Sequence, residues 1–310
     1  MPSISRYYGL SGPLEFLDVD VANDNRLFLD PHAIRMEKGP APFSRQAKKC
    51  ITTFFDEILA CVISGRQRDA ERGLDLLQHF NEPKETRLGL SQEGFDGRGG
   101  DEDVGAWIWQ VLNSDLEALI KVGVLKWIED VPVFVEGIDK DITSDLTTRI
   151  IFEPLAKFTQ SMVAKYPQFT RGTHEVRTVE RQVWSPSRSS WRRKPLELPI
   201  AWKKPLLLVP KYWARPRLLM SSGRYYETSL LSYVQRLRST RDRRTGKLLT
   251  DPKWRLKERS EYERSQETIH RVTKQAKRRR EDLLSQFRDF VDQRYERLDD
   301  DELEGRLRDS

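Results

Sequence analysis

Residues 44–64 read SRQAKKCITTFFDEILACVIS. Within them Ile51, Phe54, Phe55, Ile58, Leu59, Val62 and Ile63 recur at i, i+3, i+4, i+7, which lays one apolar stripe along a 3.6-residue helix. The spacing predicts an amphipathic helix over the whole stretch. Just beyond it, Ala70, Leu74, Leu77 and Phe80 mark a second helix over 67–80, ended where Pro83 pushes residue 82 out of helical geometry. Cys50 and Cys61, the only cysteines, sit eleven residues apart on the first helix. A rise of about 1.5 Å per residue separates them by about 16 Å, too far for a disulfide, so both read as buried free thiols.

Outward from this pair the pattern is mixed. Residues 14–21 and 27–29 read as two short strands, or a strand and a loop. Six glycines at 89, 94, 97, 99, 100 and 105 predict a loop, after which a helix resumes at Asp101 and carries Trp107, Ile108, Val111, Leu112, Leu119 and Ile120 until Gly123 stops it. Residues 131–136 read as a strand. Thr143 or Ser144 would cap a helix reaching residue 165, kinked at Pro154. Strands are then expected at 174–184, 198–202, 206–209 and 218–220, with helices again from residue 225. In the charged stretch 253–298, Leu283, Leu284, Phe287, Phe290, Val291, Tyr295 and Leu298 form a stripe that needs a partner surface, such as another protein or a second copy. The expected fold is α+β: a mostly helical front domain, a small antiparallel sheet and a long basic C-terminal helix.

Charge divides the chain in two. Residues 1–150 hold 17 Lys/Arg against 26 Asp/Glu, a net of −9, whereas 151–310 hold 37 against 22, a net of +15. An acidic, mostly helical domain over 1–166 and a basic strand-plus-helix region over 167–310 follow. Between 171 and 280 stand 30 basic and 10 acidic residues, interleaved with Trp184, Trp191, Trp202, Trp213 and Trp254. Cations neutralise phosphates and aromatic faces stack bases, so the mixture predicts nucleic-acid binding. The densest clusters supply the candidates: Arg188, Trp191, Arg192, Arg193 and Lys194; Lys211 at the exit of an apolar run; Arg243 and Arg244; and Lys277, Arg278, Arg279 and Arg280. No aromatic RNP pattern or GXXG clamp is present, so sequence-specific readout is not expected.

The acidic half offers carboxylates at the ends of apolar runs. Asp18, Asp20, Glu82, Asp141 and Asp145 are the candidate Mg²⁺ ligands, because hard cations take oxygen donors and activate water for phosphoryl transfer. Narrower motifs fail. Asp18-Val19-Asp20 has the form of a haloacid-dehalogenase opening, but no strand–helix alternation follows. The EF-hand spacing breaks at Ala22, no Gly-Lys-Ser/Thr occurs, and no carboxylate stands two residues before Lys211 as a restriction-type nuclease strand requires. Four histidines and two cysteines exclude zinc-ribbon spacing. No run of about 18 apolar residues exists and the N-terminus lacks an apolar signal segment, which predicts a cytoplasmic protein without a membrane partner.

Three stretches, FLDVDVANDNRLFLDP (16–31), NEPKETRLGLS within 81–100 and GIDKDITSDLTTR within 137–158, resemble segments of bacterial proteins that accompany phage-defence genes. The resemblance implies a bacterial cytoplasmic protein acting with partners on foreign DNA or RNA. The expected function is thus a nucleic-acid-acting defence component, a Mg²⁺-dependent nuclease in the stronger form. The alternative is a non-catalytic binding subunit that recruits a separate effector.

Overall fold

The computed structural model describes residues 2–79, 83–89, 101–114, 116–121 and 123–308. Helix α1 (Ile4–Tyr8) leads to a two-residue strand β1 (Phe28–Leu29) and helix α2 (Pro31–Met36). Asp30 caps α2, its carboxylate accepting from the His32 and Ala33 amides at 2.8 and 3.2 Å, with Pro31 pre-set for the first turn. The central element is α3 (Phe43–Ser64), where the expected helix is found. Its stripe of Ile51, Phe54, Phe55, Ile58 and Val62 is buried, as are both cysteines, and Gly65 ends it in the left-handed conformation. Around α3 pack α2, α4 (Gln67–Leu77), α6 (Glu117–Lys121), α8 (Lys140–Ile150) and α9 (Phe152–Lys165). Helix α5 (Asp101–Asn113) lies on α4 through two glycines. A Cβ on Gly73 would fall 2.2 Å from the Trp109 ring, and one on Gly105 would fall 2.0 Å from the Leu77 carbonyl oxygen. The glycine-rich stretch 90–100 lies outside the described residues.

Two local expectations are corrected here. Residues 131–136 are not a strand: a 3₁₀ turn at Ile128–Asp130 runs into a single helical turn, α7 (Val131–Phe134). Pro132 suits a helix start, and burial of Val131, Val133 and Phe134 on several sides overrides their β preference. The helix to 165 is two helices, capped by Asp139 instead of Thr143 or Ser144, with the Asp139 carboxylate accepting from Asp141 and Ile142. The break falls at Ile151, so that Pro154 sits in the first turn of α9, where a missing N–H costs nothing.

The strand-forming part is small. β2 (Val176–Ser185) and β3 (Ser190–Ala201) make an antiparallel hairpin with Trp184 opposite Trp191 and Val183 opposite Arg192, and β4 (Lys204–Pro205) adds two residues. β5 (Ala214–Arg215) pairs with β1. Residues 206–209 are buried as expected but join no ladder. Leu206 N–H donates to Pro199 O, Leu207 N–H to Glu85 O and Leu208 N–H to Thr159 Oγ1, so the extended run plugs the middle of the fold with these three donors spent on three different neighbours. Residues 218–220 form no strand either; Leu219 N–H donates to the Asp30 carboxylate at 2.7 Å.

In place of one long basic helix, the C-terminal part is a chain of short ones. α10 (Ser222–Tyr225), a π-helical turn at Tyr226–Leu230 and α11 (Leu231–Arg238) precede a hairpin of β6 (Thr240–Arg241) and β7 (Leu248–Leu249). Then come α12 (Lys253–Lys257), α13 (Gln266–Arg278), α14 (Leu283–Gln293) and α15 (Asp300–Arg308). The stripe of Leu283, Leu284, Phe287 and Val291 finds its partner within the chain, where all four are buried. One apolar core, from Ile4 to Leu303, runs through both the acidic and the basic parts. Among the described residues no helix is long and apolar enough to cross a membrane.

The join between front and rear is ionic as well as apolar. Arg288 on α14 donates to both carboxylate oxygens of Asp130 at 2.8 and 2.9 Å, and Asp130 also accepts from the Lys126 and Trp127 amides. Asp130 is fully buried. Beside it Arg35 bridges buried Glu129 (2.7 Å) and Asp292 of α14 (3.0 Å). His32 lies between them, its Nε2 2.9 Å from Asp292 and its Nδ1 3.1 Å from the Arg35 guanidinium. Arg35 can only donate, so Nδ1 accepts and Nε2 carries the proton to Asp292, which fixes the neutral tautomer. Burial, helped by the nearby Arg35 and Arg288 charges, pushes His32 down to about 3. Burial and the Asp130 carboxylate push Glu129 up to about 7, against the pull of Arg35. Arg288→Ala would leave the Asp130 carboxylate buried without its cation and is expected to destabilise the fold by about 3–5 kcal/mol in urea unfolding. A loss below about 1 kcal/mol would show that the pair does not hold α14 in place.

Candidate nucleic-acid interface

Helix α13 is amphipathic in an unusual sense: its inner face is apolar and its outer face is basic. Ser265 caps it, accepting from the Thr268 amide at 3.1 Å, and Ile269, Val272, Thr273 and Ala276 are buried. The residues between these, Gln266, His270, Lys274 and Arg278, recur at i, i+4 and therefore form a row along the outside, flanked by Arg271 and Gln275. Two clefts follow this row and share Gln266. One, of about 510 Å³, has Lys140, Arg217 and Arg264 in its walls, with Glu136 and Asp139 among them. The other, of about 1000 Å³, is lined by His270, Arg271, Lys274 and Arg278, with Glu267 at one end. Thirteen residues of helix span about 20 Å, the reach of roughly six phosphates at 3.4 Å spacing on one strand.

Local structure fixes the direction of these side chains. His270 Nε2 donates to the Phe134 carbonyl at 2.8 Å, which pins the middle of α13 to α7. The Arg271 guanidinium donates to the Glu261 carbonyl. The Arg264 guanidinium lies over Gly223, where a Cβ would stand 3.1 Å from its Nη2. At the C-terminus Glu281 N–H returns to Ala276 O and Arg280 N–H to Lys277 O, a Schellman arrangement that places Arg280 at φ 65°. Glycine is the usual occupant of that position because a Cβ is strained there. Lys277 turns back to Asp282 at 3.0 Å, and Arg236 pairs with Glu281. Lys274, Arg278, Arg279, Arg280, Arg264 and Arg217 make no ion pair with a carboxylate among the described residues.

The other residues singled out in the sequence have varied fates. Arg192 and Arg193 are exposed on β3, and Arg188 is exposed in the turn before it. Trp191 is not an open stacking face. Its ring packs on Phe54 and Trp184 at centroid distances of 5.7 and 5.6 Å, and its Nε1 donates to Leu76 O. Trp184 and Trp213 are likewise buried, whereas Trp202 and Trp254 are more than half exposed. Lys194 pairs with Glu153 at 2.8 Å and Lys211 with Asp300 at 2.9 Å. Arg243 and Arg244 are exposed between β6 and β7, in a turn closed by Asp242, which accepts from the Arg244 and Thr245 amides.

Of the carboxylates considered for Mg²⁺, Asp18 accepts from the Ser5 amide (2.7 Å) and hydroxyl (2.5 Å), and Asp20 closes a turn by accepting from the Ala22 amide at 2.7 Å. Asp141 and Asp145 lie on α8, with Asp141 Oδ1 against Gly89. Glu82 lies outside the described residues. Among the described residues no three or more His, Cys, Asp or Glu side chains gather in a metal-holding group. Arg217, Arg264 and Arg271 were not singled out. The periodic burial of 266–278 could have pointed to Arg271, but Arg217 and Arg264 reach the cleft only through tertiary contacts.

Arg280→Gly would relieve the left-handed strain and is expected to raise stability by about 1 kcal/mol in urea unfolding, while weakening any polyanion binding at this end of α13. A variant that is both less stable and equally competent would contradict the assignment of Arg280 as a strained, outward-facing cation.

No curated protein matches the chain, and no solved structure matches it. A family model matches residues 11–221, from the loop before β1 to the residue before α10. The chain therefore belongs to the family described as a domain of unknown function, DUF8370.

Proposed function

We propose that this protein binds nucleic acid through the basic trough along α13, by its phosphate backbone and without reading base sequence. The observation that carries the proposal is the set of cations on and flanking α13, Arg264, Lys274, Arg278, Arg279 and Arg280, which make no ion pair with a carboxylate among the described residues while neighbouring Lys277 and Arg236 are paired. Unneutralised cations held close on a rigid helix repel one another, and a polyanion relieves that repulsion and releases its own counterions. Among the described residues neither cleft is lined by a Phe, Tyr or Trp side chain, which favours tracking of phosphates over stacking of bases. In the setting implied by the phage-defence resemblance, foreign DNA or RNA would be the polyanion and the protein a binding subunit. No hydrolytic step is assigned: Asp18 accepts from the Ser5 amide and hydroxyl, Asp20 from the Ala22 amide and the Asn23 side chain, and no metal-holding group of His, Cys, Asp or Glu is present among the described residues.

The test is fluorescence anisotropy of a labelled duplex titrated with protein at several salt concentrations. Lys274→Ala/Arg278→Ala/Arg279→Ala is expected to make the slope of log K against log salt shallower by about 2.7, and to weaken binding equally for unrelated sequences. Unchanged affinity and slope in a variant that keeps the wild-type circular dichroism would overturn the proposal.

A further inference from the structure

A second basic site lies far along the sequence from α13. Four cations converge on a cavity of about 320 Å³ between α3, α9 and the β2–β3 hairpin: Lys49, Lys157, Arg192 and Lys194. Simple periodicities bring them there. Lys49 precedes the buried Cys50 on α3, Glu153 and Lys157 are one turn apart on α9, and Arg192 and Lys194 are two apart on β3, on one face of the strand. The single acid, Glu153, takes Lys157 at 2.9 Å and Lys194 at 2.8 Å, which holds both ammonium groups at the cavity wall. Lys49 and Arg192 have no carboxylate partner among the described residues. The Ser185 and Ser187 side chains line the mouth, with hydroxyls 3.4 Å apart. The Cys50 thiol also lines the cavity, but burial pushes it up to about 12, so it is a neutral wall and not a nucleophile.

We propose that this cavity is a binding site for a phosphate group, with Arg192 and Lys49 as the principal contacts and the serine hydroxyls as additional donors. Four positive groups around one carboxylate leave a formal +3 that no other described residue of the cavity neutralises, and a compact, multiply charged anion with several acceptor oxygens satisfies it best. The cavity lies between two helices and a hairpin, and its volume of about 320 Å³ suits a small group better than an extended strand. It is independent of the α13 trough. It also lies wholly within the segment matched by the family model, which the trough does not.

Isothermal titration at constant ionic strength, with inorganic phosphate replacing chloride, tests the site. Saturable binding is expected, weakened about tenfold or more in Arg192→Ala and in Lys49→Ala and unaltered in Lys274→Ala/Arg278→Ala. Because Arg192 is exposed and has no carboxylate partner among the described residues, its replacement leaves the fold intact. The origin of the phosphate is read from an oligonucleotide pair: tighter binding of the 5′-phosphorylated strand than of its 5′-hydroxyl twin, lost in Arg192→Ala, identifies a strand end. Equal binding of the two strands, with inorganic phosphate still saturating, identifies a free phosphate or phosphomonoester. Absence of saturable phosphate binding, or binding indifferent to both Arg192 and Lys49, overturns the proposal whatever the behaviour of the trough.

Discussion

The fully buried Asp130 carboxylate, held between two backbone amides and the Arg288 guanidinium, is the constraint on which the rear of the molecule depends. Burying a carboxylate is costly unless its lone pairs are filled, and here they are filled from two directions: the chain just before α7, and α14. Such a pair contributes less to stability than an apolar contact of equal size would, but it tolerates few alternatives. It sets where α14 lies; α14 and α7 in turn receive the apolar face of α13, and the outer face is left to solvent. Arg35, Glu129, His32 and Asp292 extend the same junction, with His32 kept neutral inside it. The outward cations thus owe their position to inward ones.

Much of the fold was legible where one period dominated. The stripe through Ile51, Phe54, Phe55 and Ile58 located α3, and the glycine-to-acid transition at 101 located the start of α5. Expectations failed where a segment is buried on several sides and tertiary contacts outvote local preference. Val131, Val133 and Val135 alternate like a strand, but Val131 and Val133 are packed in a turn of helix, and the apolar run 206–209 spends the amides of 206–208 on Pro199, Glu85 and Thr159 without joining a sheet. The tail misled in another way. Its charge suggested one long basic helix, whereas the spacing of Ile269, Val272, Thr273 and Ala276 fits a shorter helix docked on the body.

The site was legible in sign and poorly legible in place. A surplus of cations beyond residue 170 can be counted, yet which of them are free depends on ion pairs between distant residues, such as Lys194 with Glu153 and Lys211 with Asp300. Aromatic content was the weaker guide. Trp184, Trp191 and Trp213 belong to the packing that joins the hairpin and the 210–215 segment to the helical body, with indole N–H groups spent on Thr53, Leu76 and Gly39. Apart from Trp202 and Trp254, what reaches solvent is mainly charge, which is better suited to phosphate than to bases. The two basic sites differ in setting: a trough that follows a helix, and a smaller cavity between two helices and a hairpin.

The location of bound nucleic acid is the central claim, and photo-crosslinking followed by peptide mapping measures it directly. Zero-length crosslinks to a duplex are predicted in peptides covering 264–280 and 217–223, the two sides of the trough. Crosslinks confined to the acidic front helices, or none at salt concentrations where binding is detected, would contradict it.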